Sequence, residues 1–194
     1  MQQHGSLARR QAIASALDLL GSKPLYLDTE TTGLGTQDEI IEIALIEHDG
    51  SVRLESLLRP LGVIPPDATA LHGITHSMVR DSPTWREIWP EVRAALQGRK
   101  VAVYNARFDL RLMQQTHRKH HMAWDPPTAT FECLMEMYAR YRGDWDRVKG
   151  DYRWHSLADA SRQARLEIEN AHRARDDARL ARALLEHLAA QAAP

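Results

Sequence analysis

The sequence predicts an α/β fold in which a mixed central sheet, containing an antiparallel hairpin, is flanked by helices. Three observations support this class. Short runs rich in isoleucine and leucine recur within residues 24–58. Apolar residues at helical spacing recur from residue 82 to the end, and a further apolar run at 101–104 separates two of these helical segments. Strands followed by an interleaved strand and helices indicate one mixed sheet with helices around it.

Composition limits the possible classes of protein. The 194 residues are enough for one well-buried α/β domain and few for two. The formal net charge of −1 provides no global basic field, so a nucleic-acid partner would be held by local charge or by metal ions. The single cysteine, Cys133, is interpreted as a core residue of a protein in a reducing compartment. We expect a cytoplasmic protein without membrane contact, because we find neither a spanning segment nor a signal-peptide pattern.

Four strands and six helices follow from the local pattern. The predicted strands are 24–28, 39–47, 51–58 and 101–104, and the Asp49-Gly50 turn joins the second and third as an antiparallel hairpin. The predicted helices are 6–20, a helix capped by Ser82 and opened by Pro83 that ends at Gln97, 106–120, 129–142, 156–164 and 173–191. The polar segment 143–154 contains no predicted element.

Asp28 and Glu30 lie at the end of the first predicted strand. Side chains alternate along a strand, so the two carboxylates point to the same side, roughly 6 to 7 Å apart at about 3.3 Å per residue. Magnesium and manganese prefer oxygen ligands, whereas two like charges without a cation repel each other. The pair therefore predicts a metal site. The alternative is that Asp28 caps a turn and Glu30 is a solvated loop residue.

Two more acids are predicted to face inward from helices. Asp109 shares a helix face with the apolar residues three and four positions on, although an acid in a first turn can also simply favour the helix dipole. In the last helix Asp177 aligns with a stripe of leucines. Asp176 aligns with the polar side and is interpreted as a surface partner of Arg179.

His172 is predicted to lie in the turn before the last helix, where it can swing toward the acids. The alternative is an ordinary surface histidine. Four inward acids with an imidazole suit two-metal phosphodiester hydrolysis, in which cations activate water and stabilise the attacking and leaving oxygens. The imidazole fits as the base that accepts the proton of that water.

Three segments resemble the exonuclease motifs of the DEDD superfamily in its histidine-bearing branch: residues 27–34, LDTETTGL; residues 105–109, NARFD; and residues 172–178, HRARDDA. Residues 71–75, LHGIT, resemble a segment common among members similar to the epsilon proofreading subunit of bacterial DNA polymerase III. Ribonuclease T belongs to the same branch.

The resemblance implies a ribonuclease H-like fold and metal-dependent 3′ to 5′ exonuclease activity. Such an enzyme releases nucleoside 5′-monophosphates from single-stranded DNA or RNA 3′ ends with two divalent cations, Mg²⁺ or Mn²⁺. We interpret residues 23–194 as this exonuclease domain and residues 1–22 as an N-terminal helical extension.

The resemblance also assigns roles to nine residues. The metal ligands, which are also catalytic, are Asp28, Glu30, Asp109 and Asp177, and the general base is His172. The substrate-binding residues are Thr31, through its backbone, Leu34, as a wedge near the terminal base, and Asn105 and Phe108. Tyr104 departs from the family pattern, since many relatives have histidine there, but it is not a predicted ligand.

Two other functions are left open. A proofreading subunit would act mainly within a DNA polymerase assembly, although the chain ends soon after the last helix, which favours a freestanding enzyme. A noncatalytic nucleic-acid-binding module would have lost an acid or the histidine, and all five are present.

Basic residues interleaved with aromatics are further candidates for strand binding. One set lies on the helix 106–120, and a second flanks the polar segment around Trp145 and Trp154. Cations and aromatic rings could hold a single strand through phosphates and base stacking, although most such runs are solvated faces. Trp85 and Trp89, four residues apart, are interpreted as packing residues.

Overall fold

A computed structural model describes residues 2–167 and 172–192, and in it five strands form one mixed sheet. The strands are β1 (Leu25–Thr31), β2 (Ile40–Ile46), β3 (Val52–Leu57), β4 (Lys100–Val103) and β5 (Thr130–Cys133). Their order across the sheet is β3-β2-β1-β4-β5. β1, β2 and β3 pair antiparallel, whereas β1, β4 and β5 run parallel. The predicted mixed sheet and antiparallel hairpin are therefore confirmed.

Helices cover both faces of this sheet. They are α1 (Gln2–Gly21), α2 (Pro66–His72), α3 (His76–Val79), α4 (Trp85–Leu96), α5 (Ala106–Lys119), α6 (Leu134–Arg142), α7 (Leu157–Ala164) and α8 (Ala174–Ala189). A small separate hairpin consists of β6 (Trp145–Asp146) and β7 (Asp151–Tyr152). No helix within the described residues is long and apolar enough to cross a bilayer.

The period-2 alternation of β1 divides the core into two layers. Leu25 and Leu27 pack on one face with α4 and α5, whereas Tyr26 packs on the other face with α1, α6, α7 and α8. Trp85 and Trp89 are buried in the first layer, so their interpretation as packing residues is confirmed. Because apolar burial fixes β1 from both sides, the polar residues at its carboxyl end have a defined position.

α1 contributes to the second layer. Ala12, Ala16 and Leu19 are buried against residues of α6 and α8. The predicted helix at 6–20 is confirmed and begins earlier than expected. The division of the chain at residue 22 stays a prediction.

Two predicted elements are wrong in their bounds. Residues 130–133, expected in the helix 129–142, form strand β5, because the free edge of β4 pairs with them; the helix starts only at Leu134. The helix expected from Pro83 starts at Trp85. Its cap is Thr84, whose N–H and hydroxyl donate to the Glu87 carboxylate at 2.7 and 2.8 Å, and this capping box outcompetes a cap at Ser82.

Two connections contain short elements that the pattern did not predict. The segment between β3 and α4 contains α2 and α3, and the polar segment 143–154 contains the β6–β7 hairpin. α2 opens at Pro66 and ends at Gly73, whose φ of 73° is one that glycine adopts readily. Elements this short depend on tertiary contacts rather than on hydrophobic periodicity.

Candidate active site

A cleft of about 610 Å³ opens at the carboxyl ends of β1 and β4. Its other walls are the loop after β1, α2, and the first residues of α5, α7 and α8. All nine residues to which the sequence assigned a role line this cleft: Asp28, Glu30, Thr31, Leu34, Asn105, Phe108, Asp109, His172 and Asp177. The fold therefore brings together side chains from three distant segments of the chain.

Three of the four acids form a compact trio. Asp28 and Glu30 from β1 and Asp177 from α8 each offer a carboxylate oxygen, and these oxygens lie within 4.8 Å of one another. Glu30 and Asp177 are buried and Asp28 is half-buried. An all-oxygen set at this spacing is suited to a hard divalent cation such as Mg²⁺ or Mn²⁺.

Asp109, the fourth acid, lies beside the trio and outside this oxygen set. It is buried, and its Oδ1 accepts a 2.7 Å hydrogen bond from the hydroxyl of Thr29. Burial raises the pKa of Asp109 to about 7, and the Thr29 hydrogen bond opposes the rise. The Thr29 contact fixes the Asp109 carboxylate against β1.

Burial and mutual repulsion also disfavour charge on the two acids of β1, Asp28 and Glu30. Burial, then the charges of Asp109 and Asp177, hold the pKa of Asp28 well above its usual range. Burial, then Asp177 and Glu42, raise the pKa of Glu30 to about 8. The negative charge of four crowded carboxylates must be offset by bound protons or by bound cations. A divalent cation offsets it while the carboxylates stay ionised.

A buried ion pair fixes the start of α8 against the sheet. Glu42 on β2, only 1% exposed, accepts from Arg173 through Nε at 3.1 Å to each carboxylate oxygen and through Nη2 at 2.5 Å. It also accepts from the Ala174 N–H at 2.9 Å, so a side chain from the sheet caps the helix. The sequence did not predict this pair, although one acid within the fully buried strand β2 was a signal that a partner exists.

His172 and Asp177 flank this ion pair. His172 lies in the turn before α8, as expected, is half-buried, and has a φ of 48°, unusual for a residue other than glycine. Asp177 is buried. Asp176 instead approaches Arg175 at 3.3 Å and Arg179 at 3.8 Å, which confirms its interpretation as a surface partner. Of the two adjacent aspartates, Asp177 therefore lines the cleft and Asp176 pairs with surface arginines.

The predicted wedge residue is held by α5. Leu34 is 78% exposed at the rim of the cleft. Arg111 donates to the carbonyls of Leu34 and Gly35 at 3.3 and 3.4 Å, and its guanidinium lies 5.2 Å from the centre of the Phe108 ring. Gln115 also donates to the Gly35 carbonyl, at 3.0 Å. The loop after β1 and the start of α5 thus form one apolar rim.

Ten further residues line the cleft, and three of them shape its walls. Leu71 of α2 is 56% exposed at the rim. His72 is buried, and its Nδ1 accepts from the Ile74 N–H at 3.0 Å; burial lowers the pKa of its imidazole. The Tyr104 hydroxyl donates to the carbonyls of His155 and Ser156 at 2.9 and 3.1 Å. Tyr104, at a position where many relatives have histidine, therefore holds the start of α7 against the cleft.

Three basic residues of α5 contact other groups of this protein, although Arg107 is 79% exposed. Arg107 pairs with Glu136 at 3.3 Å, and Lys119 pairs with the fully buried Glu39 at 2.7 Å. Arg111 is engaged with the loop after β1. These contacts leave fewer cations of α5 for a nucleic-acid strand, which argues against strand binding by this helix.

The fold and the acidic cleft define a class of protein, the metal-binding nucleases with a mixed α/β sheet. The Exonuclease family, RNase_T, matches residues 25–185. The chain belongs to this family, the histidine-bearing DEDD type of 3′ to 5′ exonuclease, and is an enzyme with nuclease activity.

Curated relatives and a solved structure agree with this assignment. The chain is 40% identical over 170 residues to Uncharacterized exonuclease CP81 of Escherichia phage 186, covering 85% of this chain and 87% of the relative. It is 30% identical over 158 residues to the DNA polymerase III subunit epsilon of Treponema pallidum, covering 79% and 70%. The structure of Exonuclease X in complex with 5′ overhanging duplex DNA superimposes with a TM-score of 0.63 at 26% identity, covering 88% and 93%. The predicted ribonuclease H-like fold is confirmed.

Proposed function

We propose that the protein is a 3′ to 5′ exonuclease that hydrolyses the last phosphodiester bond of a single strand and releases a nucleoside 5′-monophosphate. The observation that carries this proposal is the gathering of four acids and His172 on one cleft. DNA and RNA ends are both candidate substrates, and the DNA complex of Exonuclease X, a similar structure, favours DNA. We expect the activity to be cytoplasmic.

Two divalent cations, Mg²⁺ or Mn²⁺, fit the acids. The trio Asp28, Glu30 and Asp177 would hold one cation, and Asp28 with Asp109 would hold the second. When bound, such cations lower the pKa of water and stabilise the charge that develops on the attacking and leaving oxygens. The acids must be ionised to bind, so the cations and the protons on these buried groups compete.

His172 serves as general base in this proposal. It lies just before the N-terminus of α8, five positions before Asp177, where its imidazole can accept the proton of the attacking water. The Glu42–Arg173 pair acts as a positioning device, because it fixes the residue next to His172 and the first turn that carries Asp177.

The apolar rim receives the terminal nucleotide. Leu34 and Phe108 offer surface to its base, with Leu71 as an additional contact on the α2 side. Thr31, through its backbone, and Asn105 also line the cleft and would contact the sugar and phosphate. A wedge that separates the last base from its neighbour favours unpaired ends.

A proofreading subunit is the second candidate function. The identity to the epsilon subunit of Treponema pallidum supports it, since that protein is a subunit of DNA polymerase III. Stable co-purification with a DNA polymerase from the native host would support this role, and isolation of the active chain by itself would support a freestanding enzyme.

Digestion of blocked strands tests the proposal. An end-labelled strand with a blocked 3′ end should resist digestion with Mg²⁺ or Mn²⁺, whereas a 5′ block should have no effect. Excess chelator should stop the reaction. Cleavage of a circular single strand, or full activity in chelator, would overturn the proposed function.

A further inference from the structure

A second and larger cavity, of about 1140 Å³, lies outside the catalytic cleft. It is a groove between α1 and the β6–β7 hairpin, with the end of β5 and one side of α6 as its floor. The polar and aromatic residues that line it and are used below are Glu136, Arg140, Asp144, Trp145, Tyr152 and Arg153. We call it the hairpin groove. The family match begins at residue 25, so the α1 wall of the groove lies outside the matched region.

The hairpin groove begins where the catalytic cleft ends. β1, β4 and β5 are parallel, so their carboxyl ends share one edge of the sheet. Cys133, in the groove, approaches the carbonyl of Tyr104 at 3.5 Å, and Tyr104 lines the cleft. The Tyr104 hydroxyl in turn holds the carbonyl of Ser156, another residue of the cleft. Tyr104 therefore contacts residues of both cavities.

The charge balance of the groove favours a polyanion. Arg140 and Arg153 are exposed, and within the described part of the chain neither forms a close ion pair with a carboxylate, although Arg153 acts on Asp146 at longer range. The lining contains three acids, Glu132, Glu136 and Asp144, and three arginines, Arg140, Arg147 and Arg153. Glu136 is paired with Arg107 at 3.3 Å and Asp144 with Arg142 at 3.6 Å, and both of these cations come from outside the lining. With these two, five arginines and three acids lie at the groove, in a chain whose formal net charge is −1.

Trp145 provides a flat apolar surface beside these cations. Its side chain is 51% exposed, although tryptophan is costly to leave in water. Its cross-strand partner Tyr152 holds it edge-on, with ring centres 5.2 Å apart at 86°. One face of the indole is therefore kept in a fixed orientation at the groove, as a base-stacking surface requires.

We propose that the hairpin groove binds the single-stranded segment that precedes the terminal nucleotide, with one base stacked on Trp145 and phosphates paired with Arg140 and Arg153. The proposal rests on the proposed function, since the 3′ end must lie in the cleft for the strand to continue into the groove. The hairpin groove then sets how tightly long strands are held, while the cleft alone engages the last nucleotide.

The first test compares strands of different length. Trp145→Ala should raise the KM for a strand of about twenty nucleotides on the order of 5- to 100-fold, the usual worth of one stacked base. The KM for a dinucleotide should change much less, and kcat on either substrate should change little. Trp145→Phe should restore most of the affinity for the long strand. Trp154→Ala is the matched control, because Trp154 is equally exposed, at 51%, and does not line the groove.

The second test measures the electrostatic part of binding. Fluorescence anisotropy of a labelled oligothymidylate in chelator reports affinity without hydrolysis. Arg140→Gln combined with Arg153→Gln should reduce the slope of log Kd against log salt by roughly 1.4, since each neutralised phosphate contributes about 0.7 for single strands. The charge-matched control is Arg10→Gln with Arg80→Gln, two exposed arginines outside the groove lining.

The outcomes separate this inference from the proposed function. Parental KM, Kd and salt slope in the groove variants would overturn the inference, even if hydrolysis is intact, and so would failure of the parent to bind the strand. Losses equal for the dinucleotide and the long strand would also overturn it, because they would indicate damage to the cleft. Absence of hydrolysis of either substrate by the parent would instead count against the proposed function.

Discussion

The two halves of the catalytic cleft are built in different ways. The strand half, Asp28 and Glu30, is carried by β1, which is paired on both sides and buried on both faces. The helix half, His172 and Asp177, lies at the start of α8 and is held by the contact of Arg173 with Glu42. Backbone hydrogen bonds fix the first half, whereas apolar packing of α8, one side-chain ion pair and a cap fix the second.

This difference shows where each half is vulnerable. A substitution on β1 changes the chemistry of the acids while the ladder keeps their position. A substitution beside α8 can move a catalytic group without changing it, because a misplacement of about 1 Å can cost on the order of 10²-fold in rate. The following variants test the two halves separately.

Asp28→Asn should have the largest effect. It keeps the side-chain volume and removes a charged oxygen from the trio, and the expected loss in kcat is on the order of 10³-fold or more. Hydrolysis of an end-labelled strand with Mn²⁺ measures the loss, and circular dichroism checks the fold. Asp176→Asn, which alters the acid that faces outward on α8, should keep parental activity. Near-parental turnover by Asp28→Asn would remove the trio from the mechanism.

His172→Asn should lower kcat on the order of 10²- to 10⁴-fold, the usual contribution of a general base. Asparagine tolerates the left-handed backbone at this position, so the loss reports chemistry rather than strain. Titration calorimetry with Mn²⁺ should show affinity close to the parent, because the four acids remain. His121→Asn is the control, since His121 also has a positive φ, 51°, and is exposed at the end of α5. Equal turnover by the two variants would exclude His172 as the base.

Arg173→Gln should lower kcat about 10- to 100-fold, with a smaller change in KM, because Glu42 loses its partner and the start of α8 is no longer fixed. Arg173→Lys retains the charge and loses the two-pronged contact, so it should lie between Arg173→Gln and the parent. Steady-state kinetics and thermal melting measure both variants. If both have parental kcat, the ion pair does not position the helix half.

The pH dependence of stability gives the smallest effect. The folded-state pKa values of Glu30 and Asp109, about 8 and about 7, lie above the ordinary values of 4.5 and 3.8. Stability from the protonated acids is complete below about pH 4 and is lost as pH rises through 7 to 8. The Tm of the metal-free protein should fall by several degrees over this range, and Mn²⁺ should reverse the fall. Asp109→Asn should reduce the dependence of Tm on pH. A parental Tm that does not change with pH in chelator would contradict this prediction.

The sequence predicted the positions of three acids well because the information for them is local. Side-chain alternation in β1 and the apolar stripe of α8 were enough to choose Asp28, Glu30 and Asp177 as inward acids, and they lie together. Their roles as ligands stay predictions. Motif order supplied Leu34, Asn105 and Phe108, which share no periodicity, and these too line the cleft.

What the sequence did not predict depends on contacts between distant segments. β5 has four residues and no alternation that distinguishes it from a helix, and only pairing with β4 defines it. The capping of α8 by Glu42 joins residues 132 positions apart. The support of Leu34 by Arg111 also required the packed structure, since a lone arginine on a basic helix favours a solvated interpretation.

The pairing register of β1 and β2 has a consequence for how the protein folds. Glu30 and Glu42 are direct partners in the ladder, and like charges in this arrangement oppose pairing. The compensating cation, Arg173, is 131 residues from Glu42, so this end of the ladder gains its stabilisation only when α8 has docked. Long-range closure of this kind is slow. We expect pulse-labelling hydrogen exchange during refolding to protect the Ile46 end of β2 before its Glu42 end. The edge of the sheet that carries Asp28 and Glu30 would then be the last part of the ladder to form.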